Sequence, residues 1–320
     1  GAVMVTKIYA NAVAKYNEGK LLDAEKLRRL IDADFTDAVK MLCDYGYGNG
    51  NLSESSYDID AFISAETGKL VNYALSDAPN EYLARVLTAR FTYGNAKAYC
   101  KERLRGKPSV AAVYALDDDA IRTAVIKGEY AALPAPMADA LEKLDGQFVD
   151  TQPDPKAIDI ALTKAMYADM REQARRSKSK TLRAFVVAQI DVANILSALR
   201  ARALKMPLLA LQALYIEGGR MEEDEIYALY AAENPMERLR ISPYEYLADG
   251  EQCDLPHIEA RADDYLAEIW ESEAENMQSL SPFVHYFTAQ LHEYKTVKTI
   301  LTCIKHNAQG EIAARLRHGV

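Results

Sequence analysis

At 320 residues, almost half of them apolar, the chain is long enough for two or three ordinary domains, and size does not limit the core it can bury. A formal charge of -9 excludes general nucleic-acid binding, which needs a basic face to displace counterions, while local basic patches remain compatible with it. Cys43, Cys100, Cys253 and Cys303 lie far apart with no CxxC pair, a pattern of reduced thiols in a cytoplasmic protein and not of a disulfide scaffold or a zinc site. No run of eighteen apolar residues occurs, so no segment is expected to span a bilayer, and any membrane contact would come through partners. Gly1 to Val3, ahead of Met4, are set aside as a remnant of cloning.

Abundant Ala, Leu, Glu, Lys and Arg favour helix over sheet, and the chain order bears this pattern throughout. Tyr9 to Leu42 predicts two helices broken near Asp32 to Thr36, with Leu22, Leu27, Leu30 and Ile31 on one face. The glycines of Asp44 to Asn51 end the second; lacking Lys-Ser/Thr and following a helix, they form a turn and not a phosphate cradle. A helix over Asp58 to Leu75 follows. Asp77 to Asn80 then cap a long helix with Glu81 in its first turn, and Gly106 and Pro108 close this part of the chain.

Asp117, Asp118 and Asp119 precede an apolar-periodic run and read as an N-cap, since Ala120 and Ile121 break the DDxxD pattern that metal-diphosphate chemistry asks for. Prolines bracket a short helix, Met137 to Leu144, and Ile158 to Arg176 is helical. Arg171, Arg175, Arg176, Lys178, Lys180 and Arg183 then make the densest basic patch of an acidic chain, either a solvated helix end or a docking surface for an acidic partner. Thr181 to Leu204 is a long helix. Gly218-Gly219 breaks the chain before a helix whose first turn carries Glu222, Glu223, Asp224 and Glu225. Pro235, Pro243 and Pro256 mark further helix starts, the last carrying Asp263, Asp264 and Trp270. Val284, Phe287, Leu291, Tyr294, Val297, Leu301 and Ile304 stripe the final long helix, and a short basic helix with Arg315 and Arg317 ends the chain.

Three of these helices look alike. In Thr181 to Leu204 the stripe Phe185, Ala188, Val192, Ile195 and Leu199 runs beside Asp191 and Asn194. Leu83 to Leu104 has Thr92 and Asn95 at those places, and Ser281 to Lys305 has Glu293 and Thr296. The spacings, 99 residues from Thr92 to Asp191 and 102 from Asp191 to Glu293, exceed the period of stacked solenoids. They predict one small helical subdomain used three times, over 4–108, 109–217 and 218–320.

No residue pattern assigns a catalytic, cofactor or metal site. His257, His285, His292, His306 and His318 form no HExxH, and His285 and His292 stand about 10.5 Å apart along a helix, too far for one ion. Asp191 is the one candidate for a functional carboxylate, since it interrupts an apolar helix. Burying it unpaired would be costly, so it is expected to accept structural hydrogen bonds near Asn194 or from an arginine of an adjoining helix, the more so as Thr92 stands in for it elsewhere.

YANAVAKYNEGKLLDAEKLRRLIDADFTDAVKMLCDYGYG, IDVANILSALRARALKM followed by LYIEGGRM, ADDYLAEIW, and FTAQLHEYKTVKTILTCIKHNAQGEIAARLR together resemble the C subunit of the archaeal and bacterial V-type (A-type) rotary ATPases, the relative of the eukaryotic d subunit, in order and over nearly the whole chain. Thr296 and Lys298 stand where that family often has Asn and Arg, and Thr92 where an acid is common. The resemblance implies an all-α funnel of three similar subdomains around a pseudo-threefold axis. It implies a rotor coupler without a cofactor, seated on the proteolipid ring of c or K type and receiving shaft subunits of D and F type, peripheral on the cytoplasmic face of the membrane. Arg171 to Lys180, or Arg315 and Arg317, would then meet a partner surface. The rival readings are a helical diphosphate-processing enzyme using Asp117 to Asp119 with Asp263 and Asp264, and a free-standing helical adaptor.

Overall fold

A computed structural model of the chain describes residues 2–109, 113–151 and 154–317, those at 2–5 and 317 by backbone alone. Among the described residues all regular structure is helical. The α-helices are α1 (Ala2–Glu18), α2 (Ala24–Asp32), α3 (Phe35–Asp44), α4 (Ile59–Asp77), α5 (Glu81–Arg105), α6 (Asp119–Lys127), α7 (Ala135–Gln147), α8 (Pro155–Ser177), α9 (Lys180–Ala203), α10 (Leu208–Leu214), α11 (Glu223–Ala231), α12 (Pro235–Arg240), α13 (Leu255–Glu271), α14 (Ser281–Lys305) and α15 (Ile312–Arg317).

Local chemistry sets most of these boundaries. The side chains of Asp34, Asp58 and Ser179 accept from the backbone N–H groups of Asp37, Ala61 and Leu182, which caps α3, α4 and α9. Asn80 accepts from Tyr82 and Leu83 at the start of α5, and Glu222 and Glu225 form a capping box at α11. Gly46, at φ +108°, and Gly48, at φ +64°, turn the chain after α3, where a side chain would be strained. The early region differs from expectation. Tyr9 to Leu42 forms three helices, not two, because the chain breaks at Gly19 to Leu22 and Asp23 opens a new helix by accepting from Lys26.

The chain divides into two compact units. One is built from Gly1–Ala98, Val110–Asp118 and Glu273–Val320, the other from Tyr99–Ser109 and Asp119–Ser272. In the first, α14 is the central element: Phe283, Phe287, Val297, Ile300 and Leu301 are buried, as are Leu30, Val39, Leu42 and Val71 of α2, α3 and α4. In the second, α9 is central, with Ile195 and Leu199 in a core with Leu211, Ile226, Leu229, Met236, Leu239, Tyr244, Leu247 and Ile258. By length and composition alone α9 is apolar enough to cross a membrane, which a count of consecutive apolar residues misses because Gln189, Asp191 and Asn194 interrupt it. Here more than half of its apolar window is buried inside the protein.

Candidate functional site

The buried polar groups of the long helices are where the two units hold their loops. Asp191, on α9, is fully buried. Its Oδ2 accepts from the backbone N–H of Arg220 at 2.9 Å and its Oδ1 from that of Met221 at 3.0 Å, while the Tyr244 hydroxyl also donates to Oδ2. The loop that reaches the carboxylate needs both glycines. Gly218 sits at φ +110°, and a Cβ on Gly219 would overlap Asp191 Oδ1. The Arg171 side chain closes over Gly218, so a Cβ there would overlap its Cδ, Nε and Cζ. Three donors satisfy what would otherwise be a costly buried charge. Burial, then the bond to Asp191, pushes the Tyr244 phenol well above its ordinary range.

One turn along α9, Asn194 donates to the carbonyl of Ile216 at 2.8 Å and accepts from the N–H of the same residue at 2.9 Å. Its amide thus reads residue 216 as a neighbouring β-strand would. Asn95, on α5, treats Tyr114 in the same way, at 3.0 and 2.9 Å, and its amide also donates to Asp118 at 3.1 Å. Asn72 of α4 holds the next residues, donating to the Ala115 carbonyl and accepting from the Asp117 N–H. Gly68 makes this close approach possible, since a Cβ there would run into the Ala115 backbone.

On α14, Glu293 accepts from the N–H of Leu22 at 2.5 Å, from the Tyr47 hydroxyl at 2.7 Å and from Gln290 at 2.7 Å. Tyr47 is buried, meets Tyr294 edge-on at 5.8 Å and packs on Phe62 at 5.9 Å; burial, then the Glu293 charge, drives its phenol far above its ordinary range. Asp191 and Glu293 therefore each hold a loop N–H together with a tyrosine remote in the chain. Thr92 is half-buried on α5 and Thr296 buried on α14.

The surface candidates fall in less concerted places. Glu172 takes hydrogen bonds from both Arg175 and Arg176, which pull its carboxyl down to about 2. Arg171 is committed to Gly218, while Lys178, Lys180 and Arg183 stand exposed around the turn from α8 to α9. Lys178 itself closes α8 at φ 57°. Arg315 pairs with Glu311 at 3.2 Å, and the side chain of Arg317 lies outside the described residues. Asp118 is turned to Asn95, and Asp264 is exposed on α13. Among the described residues no group of three His, Cys, Asp or Glu is placed to hold a metal ion.

The sequence singled out Asp191, Asn194, Asn95 and Glu293 but missed Tyr47 and Tyr244. Aromatics lying 246 and 53 positions from their partners give no local signal beyond a tyrosine in a turn. The pair Gly218-Gly219, read as a helix break, was the available clue to a close approach.

The family model described as ATP synthase (C/AC39) subunit matches residues 10–315. The C subunit of a V-type ATP synthase from Thermus thermophilus is 25% identical over 223 residues, which cover 66% of this chain and 67% of the relative. The C subunit of a V-type sodium ATPase from Enterococcus hirae is 19% identical over 302 residues, covering 91% of this chain and 92% of the relative.

Proposed function

Because the chain belongs to the ATP synthase (C/AC39) subunit family, matched over residues 10–315, we propose that it is a non-catalytic coupler that joins the central shaft of a V-type rotary ATPase to its membrane rotor ring. In this role the chain forms three similar helical subdomains, 4–108, 109–217 and 218–320, arranged as a funnel. Thr92, Asp191 and Glu293 occupy one repeated position, and Asn95, Asn194 and Thr296 another. The observation that carries the reading is the family match over nearly the whole length. The matching treatment of Tyr114 by Asn95 and of Ile216 by Asn194 supports the repeat.

A coupler must carry torque without shearing, and close-packed helices whose loops are tied back by carboxylates suit that demand. The chain would meet the membrane through its partners, on the cytoplasmic face, while nucleotide chemistry and ion movement belong to other subunits. Expressed with the shaft and ring subunits of its own complex, a tagged chain is expected to co-purify with both and, once isolated, to hydrolyse no ATP. Capture of neither of them, or hydrolysis by the isolated chain, overturns the reading.

A further inference from the structure

Helix α1 packs on α14 of its own unit. Among its described side chains Ala10, Asn11 and Ala14 are buried and Val13 is half-buried, while Tyr9 is 71% exposed. Polar attachments add to these. Asn11 donates to the carbonyls of Met277 and Ser279, Lys15 pairs with Glu275 at 2.9 Å, and His285 Nδ1 lies 2.9 Å from a Glu18 carboxylate oxygen. Both contacts are substantially exposed, a setting in which charged pairs contribute little. The Asn11 Oδ1 is moreover buried without a protein partner. That unmade bond subtracts from the hold on α1.

Beyond α1 the loop satisfies itself. The N–H groups of Gly19, Lys20 and Leu21 return to Lys15, Asn17 and Glu18, and Asp23 caps α2. Leu22 N–H is the exception, reaching across 271 positions to Glu293. Tyr47 donates to the same carboxylate from the body of the unit, so Glu293 stays oriented whether or not Leu22 is present.

We propose that α1 and the loop after it, residues 2–23, form a strap that leaves α14 as one piece while the rest of the unit stays folded, with the Glu293 carboxylate as its catch. Release returns Asn11 to water. The inference rests on contacts inside one unit and is independent of the proposed coupling role.

Native-state hydrogen exchange on the full chain, read by mass spectrometry, tests it. In the unaltered protein, amides of 6–18 are expected to exchange at least about tenfold faster than those of α4 and α14, as a sub-global opening requires. Glu293→Gln weakens the catch from a charged to a neutral acceptor and should speed exchange over 6–23 by about a further tenfold, with α3, α4 and α14 unchanged. Tyr47→Phe leaves the Leu22 bond in place and should speed the same segment less; it also serves if the Gln variant does not fold. Exchange of 6–18 in step with α4 and α14, an acceleration spread evenly over the unit, or no change on Glu293→Gln each overturns the proposal.

Discussion

Tyr244 donates its phenolic proton to the carboxylate of Asp191, 53 positions earlier, and so ties the turn after α12 to the middle of α9. The same carboxylate holds the N–H groups of Arg220 and Met221, which makes it the common fastening of three chain segments. Removing it should be costly. Asp191→Ala leaves three donors unmatched in a dry site and is expected to destabilise the second unit by about 3–5 kcal/mol, against about 1–2 kcal/mol for Tyr244→Phe. The double variant should cost less than the sum. Trp270, the one tryptophan and buried in this unit, gives the fluorescence signal for urea unfolding.

Glycine substitutions should separate close approach from simple helix propensity. Gly219→Ala places a methyl group against Asp191 Oδ1 and is expected to lose about 3 kcal/mol or more. Gly146, inside α7 with open space around it, should gain about 0.5–1 kcal/mol on replacement by alanine. Thermal melts of the two variants side by side check both signs.

Asn194→Ala removes a donor and an acceptor from one backbone residue, and Asn95→Ala does the same at Tyr114. Each is expected to cost about 1–3 kcal/mol, and the Ile216 or Tyr114 amide should lose its exchange protection selectively. An unchanged amide at 216 in Asn194→Ala would contradict the pairing.

Alkaline pH should weaken the fold. Tyr47 and Tyr244 have their phenols raised above the ordinary value of 10 by burial and by neighbouring carboxylates, and Tyr286 is pushed up to about 12, chiefly by burial. The folded chain keeps these protons where the unfolded chain releases them. Their contribution is therefore complete below pH 10 and is lost as pH rises above it. Urea midpoints measured from about pH 8 to about pH 11 should be level at first and then fall, with a shallower fall in Tyr47→Phe.

Charge reversal at Lys178, Lys180 and Arg183, all exposed, is expected to change stability by less than about 0.5 kcal/mol, and to weaken assembly if this turn meets an acidic partner. Including Arg171 would confuse the outcome, because its side chain closes over Gly218. Co-purification with partner subunits, beside a thermal melt, distinguishes the two effects.

What the sequence determined by itself was the helices. Apolar stripes, Asp and Ser caps and glycine stops act over three or four residues, so α14 falls where its stripe and proline put it, and α9 where its stripe and Ser179 do. A local misreading, two helices in place of three over Tyr9 to Leu42, fell where the chain leaves helix at Gly19 to Leu22 and Leu22 gives its N–H to Glu293. Asp191 could be recognised as a carboxylate needing partners, but not which ones. Its donors arrive from loops brought beside α9 by the packing of α11 to α13, and two of the partners of Glu293, Leu22 and Tyr47, come from the far end of the chain. Only the tertiary structure could decide these, because a helix is stabilised by neighbours in sequence, whereas a buried charge is satisfied by whichever groups the folded chain carries to it.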